Sequence, residues 1–430
     1  MSFLTFKKSW LTDNAANGDA LDATHARLQI CLGKQNITEY KIGRKTDNKL
    51  EIPLYYLAEW LAENWWVILF EPMKDEENDD PGFIRRHSIL SAQHGFPLPA
   101  LSIIPFGRSI RLNCSPRKAT FANVSFFVDA FGDESTDDVQ NTLSKFLNDS
   151  DERLRTFGIE DTNFQAAWNE ISNLSPEEKA FCELIGSLGL APSCVNDEIS
   201  NAVEKLLGIL GPRAVRDFCL AVTPAQVLTS MASAEEISER LPKLTDAKLD
   251  ALIKTDLPSE NFKAPSWRRG MQAAKNLREK LGIDVKDENG ATKIFEVLNI
   301  DLSHFDSKSK KSGSALFSGA IDRQGNVAKI ALLAEGTSHR RFAAGRATYL
   351  TWVSGNEARR LMTNAVTRDQ QASRQFAAEI LVPQSYLKVL AQSKGKLSHD
   401  HVIEIAQSRG AMPDVAFKQA YNAGISVAAI

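Results

Sequence analysis

The sequence predicts an α+β protein in three parts: a mixed α/β region at 1–134, a helical region at 135–260 and a second α+β region at 265–430. Three observations carry this. Short apolar runs stopped by Gly or Pro fill the first third, and capped amphipathic segments follow one another from Ser135. A polar stretch with two prolines, "DLPSENFKAPSW", then precedes a return to mixed patterning. A chain of 430 residues exceeds one ordinary core, so two or three domains are expected.

In chain order, "ARLQICLG" and "NITEYKIG" are β-like runs joined by a Gly-Lys-Gln turn. "IPLYYLAEWLAENWW" has Leu54, Leu57, Trp60, Leu61 and Trp65 at helical spacing, and "VILFEP" after it reads as a strand stopped by Pro72. "KDEENDDPG" reads as an exposed acidic loop, and "ALSIIPFGRSIRLNC" and "ANVSFFVDAFG" as further strands. Ser135 is an N-cap candidate. Ser175, with Pro176 and Glu178, carries a capping box, Thr223, Pro224 and Gln226 repeat it, and "SAEEISERL" reads as another start.

Beyond the boundary, "SWRRGMQAAKNLREKLGI" and "GATKIFEVLNI" read as helices. "SKSKKSGS" reads as a basic loop, and "DRQGN" between "ALFSGAI" and "VAKIALLA" as a hairpin turn. "RRFAAGRATYLTWVSG" and "TRDQQASRQFAAEILVP" are helices, and two short helices flank Pro413.

Composition narrows the class. With 43% apolar and 24% charged residues and a net charge of −3, the chain reads as a soluble globular protein, and any nucleic-acid contact would need a local patch. No run approaches the roughly 18 apolar residues of a spanning helix, and "MSFLTFKKSWLTDNAANGDA" lacks a signal-peptide core. Cys31, Cys114, Cys182, Cys194 and Cys219 are scattered and odd in number, so reduced thiols and a cytoplasmic location are expected.

The order of elements from about 265, together with "RRFAAGRATYL" and above all "FAAEILVP" (Phe376 to Pro383), resembles the ImmA/IrrE family of zincin-like metallopeptidase domains. "KLSHDHVIEIAQSRGAMPDVAFKQA" resembles the family's tail, and the likeness covers about the last 165 residues. In that family two histidines one helical turn apart grip a zinc ion, a carboxylate from a second helix completes the ligands, and a glutamate takes the proton of the bound water. Aligning Arg341-Phe342 with the family's "RF" puts the first histidine at Arg346, the base at Ala347 and the second histidine at Leu350. The third ligand, a Glu six residues before the motif's phenylalanine, falls at Gln370, between Asp369 and Gln371. Arginine does not give up its proton to bind a metal, and Leu and Ala offer no donor atom, so these departures from the family's pattern lead us to expect no zinc, and no other cofactor is expected.

From Arg340 to Arg374 the chain has seven arginines (340, 341, 346, 359, 360, 368 and 374) and no lysine, opposed in sequence by Glu357 and Asp369. Two readings stand. Either these are solvated faces and local ion pairs, or Arg346, with Arg374 or Gln370, forms an anion pocket where the zinc charge would be. Tyr349 and Trp352, like Trp60, Trp65 and Trp66, read as core. His87 and His94, seven apart, would share a helix face; His399 and His401 read as helix-start residues more than as a metal pair. Glu59 and Glu63 read as a polar stripe.

The functional expectation is a non-catalytic regulatory protein with a protein partner. The resemblance adds a role in phage defence, mobile-element or toxin–antitoxin-like control. The alternatives are an enzyme with its site in the N-terminal or inter-domain region, an anion or nucleotide sensor using the arginine-rich pocket, and a DNA-binding regulator, against which the capped helices show no helix-turn-helix.

Overall fold

A computed structural model of the chain describes residues 2–11, 19–73, 81–303, 316–394 and 396–428. The acidic stretch at 74–80, His304 and the basic loop at 307–314 lie outside the described residues. The architecture is α+β, with several small, mostly antiparallel sheets among many helices. The chain divides into two compact units, 1–195 and 196–430. The helices expected together at 135–260 fall on both sides of that division, because those up to Ser187 share a core with the N-terminal strands.

In the first unit, strand Leu4–Trp10 pairs with His25–Leu32, which also takes Gln35–Asn36 and Leu50–Pro53. Ala26, Leu28, Ile30 and Leu32 alternate inward, the period of a half-buried strand. The hairpin of Ala100–Pro105 and Ser109–Ser115 is extended by Ala130–Ser135. Helix Tyr55–Glu63 buries Leu57, Trp60 and Leu61. The run after it is a correction: Trp65–Phe70 is a helix, not a strand, and all six side chains are buried. A short run that is apolar on every side carries no period, so packing decides its conformation. Trp60, Trp65 and Trp66 are core residues, and Trp65 packs edge-on against Trp168 at 5.2 Å.

Ser135 caps helix Thr136–Thr156, and Ser175 with Glu178 forms the full capping box of Pro176–Ser187. Thr223 and Gln226 also form their box, but it opens the 3₁₀ turn Pro224–Gln226 that leads into helix Val227–Arg240. Ser233 lies inside that helix, so "SAEEISERL" starts nothing new.

The second unit is built on one antiparallel sheet, in the order Asp246–Lys248, Val327–Leu332, Phe317–Gln324, Glu357–Thr363. Gly325 at φ 61° makes the hairpin turn. Helices Ser266–Lys280, Thr337–Val353 and Arg368–Leu381 pack together closely because small residues face each other. A Cβ on Gly270 would lie 2.1 Å from the Ala372 carbonyl oxygen, and one on Gly345 would lie 2.9 Å from Ala377. Helices His399–Ser408 and Pro413–Asn422 form the tail, as expected.

Candidate functional site

Helix Thr337–Val353 starts after Gly336 at φ 80° and is buried continuously from Ala343 to Trp352. That stretch places a single cation in the core. Arg346 is only 3% exposed. Its Nη2 donates to the Gln370 Oε1 at 2.6 Å and to the Thr363 carbonyl at 2.7 Å. Its Nη1 donates to the Ser318 hydroxyl at 3.0 Å and its Nε to the Ser373 hydroxyl at 3.3 Å. One side chain thus ties its own helix to two strands and to helix Arg368–Leu381, a cross-link of the kind a closed metal site makes.

All these acceptors are neutral. Burial, and then the neighbouring Arg374, push the Arg346 guanidinium down to about 9, against a pull from Asp217. Among the described residues, no carboxylate forms an ion pair with it. Gln370 is fully buried and held by its Nε2 donating to the Leu361 carbonyl at 2.8 Å. Ala347 and Leu350 are fully buried and apolar.

The structure therefore brings Arg346 and Gln370 together, as the anion-pocket reading requires, but protein acceptors already occupy the fork. Arg374 turns elsewhere, with its Nη2 donating to the Ala365 carbonyl at 3.3 Å.

The remaining arginines are largely ion-paired or bonded to carbonyls, with partners far off in sequence. Arg360 grips Asp217 through Nε at 2.7 Å and Nη2 at 3.1 Å and reaches Asp369 at 3.3 Å. Burial lowers this guanidinium and the two carboxylates more than reverse that, leaving it above its ordinary value. Arg359 pairs with Asp322 at 2.7 Å and Arg368 with Glu260 at 3.0 Å. Asp217, Asp322 and Glu260 were not legible as partners, because nothing local marks them.

The motif's own carboxylate, Glu379, is 1% exposed and its pKa is raised by burial. It accepts from the Gln419 Nε2 at 3.0 Å and the Gln384 backbone N–H at 3.2 Å, so it is engaged by the tail rather than by Arg346. Among the described residues, no three or more His, Cys, Asp or Glu side chains are grouped to hold a metal. His399 and His401 stand at the start of helix His399–Ser408, where Ser398 accepts from the His401 backbone N–H.

The first unit holds a cluster that sequence reading missed. His87 is fully buried; its Nδ1 donates to the Ile103 carbonyl at 2.8 Å and its Nε2 lies 3.0 Å from the Glu71 Oε2. Arg86 adds a bond to Glu71 at 2.7 Å. Burial raises the Glu71 carboxyl, but the bonds from His87 and Arg86 outweigh it and hold the group below its usual range. His87 and His94 do not share a helix face, since the chain turns through the 3₁₀ segment Ile89–Ala92 between them. Glu59 accepts from the Tyr55 hydroxyl, and Glu63 is raised by burial and then by Glu59.

The chain was compared with models of known protein families, with curated sequences and with solved structures, and none of the three comparisons returned a match.

Proposed function

We propose that the chain is a non-catalytic regulatory protein whose region 265–430 is a metallopeptidase-like domain with an arginine clamp in place of its metal. The observation that carries this is the 2.6 Å hydrogen bond between Arg346 and Gln370. These are two positions to which the resemblance gives ligands of one zinc ion, and here their side chains meet. The hairpin followed by helices Thr337–Val353 and Arg368–Leu381, the second ending just before Pro383, also supports the reading. Ala347 and Leu350, where the resemblance puts the base and the second histidine, are buried and apolar and cannot activate water.

The domain then acts by recognising a protein rather than cutting it. The resemblance points to control of a partner in phage defence, mobile-element or toxin–antitoxin-like systems in the cytoplasm. Anion sensing through Arg346, Gln370 and Arg374 has less support, since an anion would have to displace four protein acceptors from Arg346.

The test is affinity capture of the full chain from its native host, with elemental analysis of the purified protein. An intact partner and no stoichiometric zinc are expected. One zinc per chain, or a partner recovered cleaved, contradicts the proposal.

A further inference from the structure

A cleft of about 690 Å³ opens on the first unit, lined among others by Ile84, Arg85, Leu90, Ser91, Gln93 and His94. That volume lies within the roughly 300–1,000 Å³ of small-ligand sites. Its wall is anchored from below. Phe83, Ile89 and Ala92 are buried, the Ile103 N–H donates to the His87 carbonyl at 2.8 Å, and Ser88 bridges to Ser102 on strand Ala100–Pro105. The buried Glu71–His87 pair fixes the same turn from inside. A wall held this way meets a ligand without having to be ordered first.

Four features of the wall point to one kind of ligand. Arg85 is exposed and makes no ion pair among the described residues, so its fork is available to an anion. His94 holds φ at 37°, an uncommon conformation for a residue other than glycine, and its ring stacks on Tyr56 with centroids 4.3 Å apart and planes 15° apart. Backbone strain of this kind is retained where the surroundings enforce it, and it concentrates at binding sites. Ile84 is 42% exposed and, with Leu90, supplies apolar surface. The Gln93 side-chain oxygen has no donor among the described residues, an unmet acceptor that favours turning the amide toward a ligand N–H.

We propose that this cleft binds a small planar anion: an aromatic ring carrying a phosphate or carboxylate, with the acid group on Arg85 and the ring against His94 and Ile84. This inference concerns the first unit alone and does not depend on the reading of Arg346.

The test is calorimetric titration of the full chain with adenosine 5′-monophosphate and with 1-naphthoate. Arg85→Ala, His94→Asn and, as a control, Arg155→Ala are compared. Asparagine tolerates the left-handed backbone, so His94→Asn removes the ring without adding strain. Saturable binding of at least one probe is expected, weakened about tenfold or more by Arg85→Ala and by His94→Asn and unchanged in the control. Adenosine and inorganic phosphate are each expected to bind more weakly than the monophosphate. Absence of saturable binding by both probes at about 1 mM overturns the proposal. Binding that both cleft variants leave unchanged also overturns it.

Discussion

Arg346 and Arg360 stand fourteen residues apart in one stretch of chain, both buried in the second unit, and their surroundings are opposite. Arg360 faces two carboxylates and is held above its ordinary value; Arg346 faces a glutamine, a carbonyl and two hydroxyls and is pushed down to about 9. The difference separates two uses of a buried guanidinium. At Arg360 the charge is the point: it joins strand Glu357–Thr363 to Asp217 of helix Pro212–Ala221, whose carboxylate also accepts from the Leu361 N–H at 3.0 Å. At Arg346 the fork is the point, since planar geometry lets one side chain satisfy acceptors on two strands and a helix.

The largest effect is expected on the Arg360 side. Asp217→Asn leaves a buried arginine facing Asp369 alone and weakens the bond to Leu361. It is expected to cost the second unit about 3–5 kcal/mol in urea denaturation, the usual cost of breaking a buried pair from one side. A cost below about 1 kcal/mol would mean that Asp217 is not the partner that matters.

On the Arg346 side, Arg346→Lys separates charge from geometry. Charge is kept, but one ammonium group cannot reach acceptors arranged around a planar fork. A smaller loss of about 1–3 kcal/mol is expected in the same assay. Lysine substituting without loss would show that charge rather than geometry is what Arg346 supplies.

Much of the local structure was legible because its causes are local. Ser135 and Ser175 announce their helices through hydroxyls that accept from residues three positions on, and Gly325 marks a turn with few alternatives. Strand Glu357–Thr363 carries no such signal, since "EARRLMT" has no alternating apolar face and becomes a strand by pairing with Phe317–Gln324.

Only the resemblance relates Arg346 to Gln370, and nothing local in the sequence points to Ser318, Thr363 and Ser373 as acceptors. The Arg360–Asp217 pair spans 143 residues, and no spacing rule reaches that far. The same holds for His87 and Glu71, which meet because a helix and a turn fold over strand Ala100–Pro105.

The proposal places Arg346 and Gln370 at a metal position. It is tested most directly by a zinc titration of the chain carrying Arg346→His, Ala347→Glu, Leu350→His and Gln370→Glu, read by calorimetry and by thermal unfolding. One zinc bound per chain, a rise in unfolding temperature on zinc addition and neither effect in the parent chain are expected, because metal binding and folding of such a site are coupled. A variant that takes up no zinc and is not stabilised by it, folded or not, would show that these positions are not those of a metal site.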